Sequence, residues 1–203
     1  MRLAIVLSGI AALAAASPAS AEVFQKSPAG FIIRHAADVP AGADAAWKEL
    51  IAPAGWWSSE HTFSGDAANL SIDARAGGCF CEVLPAKDSP RAAPRGGVEH
   101  MRVIYVERGR ALRLSGGLGP LQSEAVTGTL TINLRPNDGG GTRILWEYVV
   151  GGYMRHTVDD IAPAVDGVLG QQLAGLAAKL GRRSAAPAED APAPDAKPVE
   201  IGR

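Results

Sequence analysis

The run AVTGTLTINLRP–NDGGG–TRILWEYVVGGY, from Ala125 to Tyr153, shows two strands and the turn that joins them. In the first arm Val126, Leu130, Ile132 and Leu134 fall on one side, and Thr127, Thr129, Thr131 and Asn133 on the other. Asn137 to Gly141 is a turn signal, and Ile144, Trp146, Tyr148 and Val150 then recur at every second position. Period two on both arms predicts an antiparallel hairpin with one face on a core and one in water.

The core partner follows directly. Thr157 to Asp160 forms a capping-box-like start, and Pro163 is placed in a first helical turn. Ile161, Val165, Val168, Leu169, Leu173, Leu176 and Leu180 then repeat at helical spacing, with Gly181 at the stop. An apolar stripe about five turns long must lie on something large, and the inner face of the sheet is the available surface. Upstream, GFIIRHAADV (Gly30 to Val39) reads as a first strand, followed by a short helix with Trp47, Leu50 and Ile51 at helical spacing. The GWWSSEHTFSGDA loop comes next, and then NLSIDARA, CFCEVL, VEHMRVIYVE and ALRLSGG as further strands. The expected class is α+β, a helix-grip fold of about six or seven antiparallel strands wrapped around a long C-terminal helix.

Both ends read differently. Residues 1–21 carry Arg2, an apolar run of about fourteen residues and a small-x-small close at Ala19-Ser20-Ala21. This is a signal peptide pattern with cleavage before Glu22, and the run is too short for a spanning helix of about twenty residues. Residues 182–203 are rich in Pro, Ala and charge and offer little to bury, so a disordered tail is expected. The domain is therefore 22–181, exported to the periplasm or secreted, with no membrane association once the leader is removed. The chain has 20 Lys+Arg against 21 Asp+Glu and no basic block, which argues against a nucleic-acid partner.

Cys79 and Cys81 are the chain's two cysteines. On a regular strand such residues share a face about 6.5–7 Å apart, from a rise of ~3.3 Å per residue, too far for a relaxed disulfide. They are expected to be two small side chains filling space, with a strained bond as the alternative that an exported compartment would favour. No metal set is expected, because His35, His61 and His156 lack paired ligand spacing. Glu82 shares parity with Phe80 and opposes the cysteines. If Phe80 faces inward, Glu82 does too, and needs a raised pKa or a partner such as Arg or His. His100 shares strand parity with Arg102 and Ile104. Trp56 and Trp57 are adjacent in the loop after the short helix and fit either a pocket mouth or the core. GGLGPLQ has no phosphate-loop spacing, and no G-x-S-x-G elbow occurs.

Several strings resemble the START-like, SRPBCC superfamily, in the branch called polyketide-cyclase-like or homologous to the heat-shock chaperone ATPase activator. They are GWW (Gly55 to Trp57), GGCFCE (Gly77 to Glu82), EHM (Glu99 to Met101), GGLGPLQ (Gly116 to Gln122), GTRILWEYVVGGY and the IAPAVDGVLGQQLAGL helix. The resemblance covers Phe31 to Leu180 and implies a cavity between sheet and helix for an apolar or aromatic small molecule. It supplies no catalytic residue, and export removes the chain from cytosolic chaperones.

The expectation is a cofactor-free module binding a small hydrophobic ligand. Phe80, Trp146, Tyr148, Val165, Leu169 and Leu173 would line the cavity, Trp57 its mouth, and Glu82 or His100 would hold a polar end. The alternatives are a cyclase- or hydrolase-type enzyme using Glu82 and His100 as acid and base, and a cell-envelope module whose protein partner is unknown.

Overall fold

A computed structural model describes residues 22–86 and 95–181. The expected leader (1–21) and tail (182–203) lie outside the described residues. The chain forms β1 (Glu22–Ser27), β2 (Gly30–Val39), α1 (Ala43–Leu50), β3 (Leu70–Ile72), β4 (Cys79–Leu84), β5 (Gly96–Glu107), β6 (Ala111–Ser115), β7 (Ala125–Pro136), β8 (Thr142–Tyr153) and α2 (Val158–Lys179). The strands make one antiparallel sheet in the order β1-β2-β8-β7-β6-β5-β4-β3. The fold is α+β and helix-grip, with eight strands rather than six or seven. The additional strand is β1, whose sequence EVFQKS lacks apolar alternation yet completes the edge beside β2. At the other edge β3 is shorter than NLSIDARA suggested, because the chain turns between Asp73 and Gly78 with Gly77 at φ +80°.

The hairpin forms as its alternation requires. Leu130, Ile132 and Leu134 of β7 are buried with Ile144, Trp146, Tyr148 and Val150 of β8. Asn137 organises the turn, its Oδ1 accepting from the N–H groups of Gly139 at 3.1 Å and Gly141 at 2.8 Å. Gly140 takes the positive φ, +76°, that the turn needs.

Helix α2 runs for 22 residues and crosses the inner face over β1 and β2. Thr157 caps its start, accepting from the Asp160 N–H at 3.2 Å, and Gly181 ends it at φ +77°. Pro163 stands in the second turn, not the first. There its ring removes the hydrogen bond to the Asp159 carbonyl. Ile161, Val165, Leu169, Leu173 and Leu176 are buried against the sheet, whereas Val168 is half-buried. A polar lock adds direction: His35 Nε2 lies 3.0 Å from Asp166 Oδ1 and 3.2 Å from the Asp166 carbonyl. Gly170 permits this docking, since a Cβ there would sit 3.1 Å from His35 Cε1. Among the described residues no helix is long and apolar enough to cross a membrane.

Cys79 and Cys81 are joined in a disulfide, contrary to the space-filling expectation. Their Cα atoms are 5.3 Å apart, closer than a regular strand allows. The shortening falls where the β4–β5 pairing breaks register, between Phe80 and Cys81.

Candidate functional site

The register break places the candidate site. Phe80 pairs with Met101 while Cys81 pairs with Glu99, so β5 carries one extra residue, His100. The extra residue turns His100 and Met101 inward together, while Glu99 and Arg102 stay outside and pair with each other. His100 therefore does not share a face with Arg102 and Ile104, as strict alternation would have it. Phe80 and Glu82 take the inward option, both almost fully buried, and the cysteines sit half-buried on the opposite face.

Glu82 and His100 meet on that inner face, with His100 Nε2 2.9 Å from Glu82 Oε2. The same carboxylate accepts from the loop N–H of Phe63 at 3.0 Å and from the Ser64 N–H. Burial alone would raise the Glu82 pKa. Hydrogen bonds from Ser64, from the Phe63 N–H and from His100 outweigh it and hold the pKa below the ordinary glutamate value. An ionised carboxylate only accepts, so His100 Nε2 carries the proton between them. Burial pushes the His100 pKa down, with Glu82 offsetting part of that, so the neutral imidazole is favoured. The second ring nitrogen, Nδ1, is then an acceptor, and it makes no hydrogen bond among the described residues. The ring is held between Phe80, at 5.0 Å between centroids, and Phe63, at 5.8 Å.

His100 is part of the wall of a cavity of about 720 Å³. Helix α2 gives Ala164, Val165, Val168 and Leu169 to one side. The loop after α1 gives Trp57 and residues 60–63, and the segment 118–123 closes the third side. Both irregular walls are fastened. Gln172 of α2 is fully buried, accepting from the Ser58 N–H at 2.8 Å and bonding His61 Nδ1 at 2.9 Å, while Glu82 holds the far end of that loop. The Tyr148 hydroxyl donates to the Gly116 carbonyl at 2.9 Å and accepts from the Leu118 N–H at 3.1 Å. Its pKa is pushed up to about 12, chiefly by burial, so it remains a neutral donor. Gln122 Nε2 donates to the Glu99 carbonyl at 2.8 Å, and Arg155 grips Glu124 and the Ser123 carbonyl. A smaller cavity of about 360 Å³ lies behind the 118–123 segment, beside Glu99, Gly116 and Glu124.

Of the residues singled out from sequence, Trp57, His100, Val165 and Leu169 line the larger cavity. Phe80 stands behind it, edge-on to Trp57 at 5.3 Å between ring centroids, and Glu82 stands behind His100. Trp146 and Leu173 belong to the packed core, and Tyr148 is the strut that holds the 116–118 turn. Gln172 and Phe63 were not anticipated. Gln172 carries a legible signal, since it sits on the apolar stripe of α2, three residues after Leu169 and four after Val168. Among the described residues no group of three or more His, Cys, Asp or Glu side chains is arranged to hold a metal ion.

No family model matches the sequence, and no curated protein matches it. Solved structures do. A point mutant of norcoclaurine synthase from Thalictrum flavum, in complex with a transition-state analogue, is 17% identical over 77% of this chain and 97% of that one, with a TM-score of 0.50. The protein Mll3558 from Rhizobium loti is 20% identical over 74% and 96%, with a TM-score of 0.48. MLL2253 from Mesorhizobium loti is 15% identical over 72% and 94%, with a TM-score of 0.49. At these identities the likeness is one of architecture alone, in keeping with the α+β, helix-grip fold described above.

Proposed function

We propose that this is an exported START-like module that binds one small, mainly apolar molecule between α2 and the loops at residues 57–63 and 118–123. The observation that carries the reading is the cavity of about 720 Å³, walled by Trp57, Leu118, Val165, Val168 and Leu169. Its size lies within the ~300–1,000 Å³ typical of small-molecule sites, and its walls are tied down before any ligand arrives. The norcoclaurine synthase mutant from Thalictrum flavum, in complex with a transition-state analogue, has a similar architecture and is consistent with a guest bound by this fold. Export is supported by the leader-like residues 1–21 and by the Cys79–Cys81 bond, which oxidising compartments preserve.

The test is saturable binding of the fluorescent probe N-phenyl-1-naphthylamine, followed by energy transfer from Trp57 and its tryptophan neighbours. One site per chain is expected, abolished in Val168→Trp, which puts an indole in place of a cavity-wall side chain, with an unchanged circular dichroism spectrum. No binding of this probe, together with a clean ligand-free native mass, would overturn the proposal.

A second reading keeps the same cavity and makes it catalytic. The Glu82–His100 pair favours it, because a fixed carboxylate and a neutral imidazole with a free nitrogen form a competent general base.

A further inference from the structure

We infer that the cavity selects guests carrying a hydroxyl donor, a phenol or alcohol on an apolar frame, and that His100 Nδ1 receives that hydrogen. This rests on the cavity being a ligand site and adds the chemical class of the guest.

The assignment follows from what His100 has left to offer. Its Nε2 is committed to Glu82, whose carboxylate is fixed by two loop N–H groups and cannot donate in return. The tautomer is thereby set by a partner outside the cavity, as a carboxylate behind a metal-binding histidine fixes which ring nitrogen carries the proton. Nδ1 remains an acceptor without a partner among the described residues, and it is not among the fully enclosed polar atoms that lack one. His100 borders both cavities, and the neighbours of its ring and of its backbone point to the larger one as the side from which Nδ1 is reached. The His100 carbonyl faces Gly116, where a Cβ would come within 2.6 Å, next to the smaller cavity. The ring packs on Phe63, a wall of the larger one. The other polar wall residues, Glu60, His61, Thr62, Gln122 and Ser123, are all less buried than His100. His100 is thus the one buried polar side chain in a mainly apolar wall, and a guest that enters without a donor leaves its nitrogen unpaired.

The experiment uses the purified chain and a matched pair of probes, 2-naphthol and 2-methoxynaphthalene, titrated by calorimetry. Apolar burial alone ranks the methyl ether tighter. Pairing with Nδ1 reverses the order, and the naphthol is expected to bind about five- to tenfold more tightly, the worth of one buried hydrogen bond. In His100→Phe the naphthol should lose its advantage over the ether, whatever the absolute affinities of the two. The nitrogen-15 resonance of His100 Nδ1 in the native chain should move on saturation with naphthol, and that of Nε2 should not. An ether that binds as well as or better than the naphthol overturns the donor assignment and leaves the apolar cavity standing. A naphthol advantage that survives in His100→Phe, or an unmoved Nδ1 resonance, overturns the role of His100. If neither probe binds, the cavity reading falls with it.

Discussion

His100 Nε2 lies 2.9 Å from Glu82 Oε2 because β5 carries one residue more than β4 opposite Phe80 and Cys81. Without the bulge, alternation would put His100 beside Arg102 on the outer face, and Glu82 would be left with Phe63 and Ser64 of the loop but without its histidine partner. The bulge converts two strand residues into a pair, and the pair anchors the loop that walls the cavity.

Glu82 is therefore a structural anchor before it is anything else. Glu82→Ala strips the acceptor from the Phe63 and Ser64 N–H groups and from His100 at once. The expected cost is roughly 2–4 kcal/mol, because buried donors are left unpaired. Glu82→Gln keeps one acceptor oxygen and should cost less. Urea denaturation of both variants checks the order, and equal stabilities would contradict the anchoring role.

Acid should weaken the fold in two stages of the same sign. The pKa of His100 is lowered in the folded chain, so below about 6.5 the unfolded chain takes up the proton first and stability falls until the folded histidine also titrates. The Glu82 pKa is lowered too, so its contribution is complete above about 4.3 and is lost as pH falls through the folded value. Glu82 faces His100 from β4, Glu60 and His61 stand in the same cavity wall, and Glu99 points outward to Arg102. The measurement is the urea midpoint at steps from about pH 8 down to about pH 2, so that both stages are crossed. His100→Phe should flatten the upper stage and, by removing one of the hydrogen bonds that hold the Glu82 pKa down, shrink the lower one. A midpoint that rises on acidification from about pH 7 to about pH 5.5 would contradict the upper stage.

The helix-grip architecture was legible because it depends on periods. Ile144, Trp146, Tyr148 and Val150 repeat every second residue, while Val165, Leu169, Leu173 and Leu176 keep one helix face, and the structure buries both sets. The pairing of Glu82 with His100 was legible only as an alternative, because a bulge changes parity without changing composition. A trace of it exists: Glu99 and Arg102 both need solvent yet stand three apart, a spacing that period two forbids. The role of Tyr148 was hidden for another reason. Its inward direction follows from alternation, but its partners, Gly116 and Leu118, are about thirty residues away in the chain.

Tyr148 and Gly128 should behave as a coupled pair. A Cβ on Gly128 would collide with the Tyr148 hydroxyl and with the Gly116 carbonyl. Gly128→Ala is expected to cost about 1–3 kcal/mol by overpacking. Tyr148→Phe should cost a similar amount, since two buried backbone groups lose their partner. In the double variant the missing hydroxyl removes one of the collisions. The double variant should then cost less than the two single variants added together, by about 1 kcal/mol in a double-mutant cycle. Simple additivity would show that the hydroxyl is not what excludes a side chain at position 128.

The Cys79–Cys81 bond closes a very short loop, with a sequence separation of 2. Chain entropy then gives it about 1.6 kcal/mol, against about 3 for a fifteen-residue loop. Cys79→Ser/Cys81→Ser should fold, lose no more than about 2 kcal/mol, and bind the naphthyl probes within a few-fold of the parent chain. Thiol alkylation before and after reduction, read by intact mass, confirms which form is measured. A variant that fails to fold would assign the bond a part in shaping β4 beyond cross-linking.

Gln172 offers the cleanest separation of fold from site. Its amide ties α2 to Ser58 and His61, whereas the side chains of Leu169, Leu173 and Leu176 around it hold the helix to the sheet. Gln172→Leu preserves burial and volume but leaves the Ser58 N–H unpaired, so a loss of about 1–3 kcal/mol is expected. Binding should suffer more, because Trp57 and residues 60–63 are cavity wall and their loop would lose its fastening at the α2 end. The check is amide hydrogen exchange beside probe titration. Protection should fall in the 57–63 loop alone, with weaker probe binding, while β7 and β8 exchange as before. Uniform loss of protection across the sheet would instead make Gln172 part of the general core, with no special hold on the cavity.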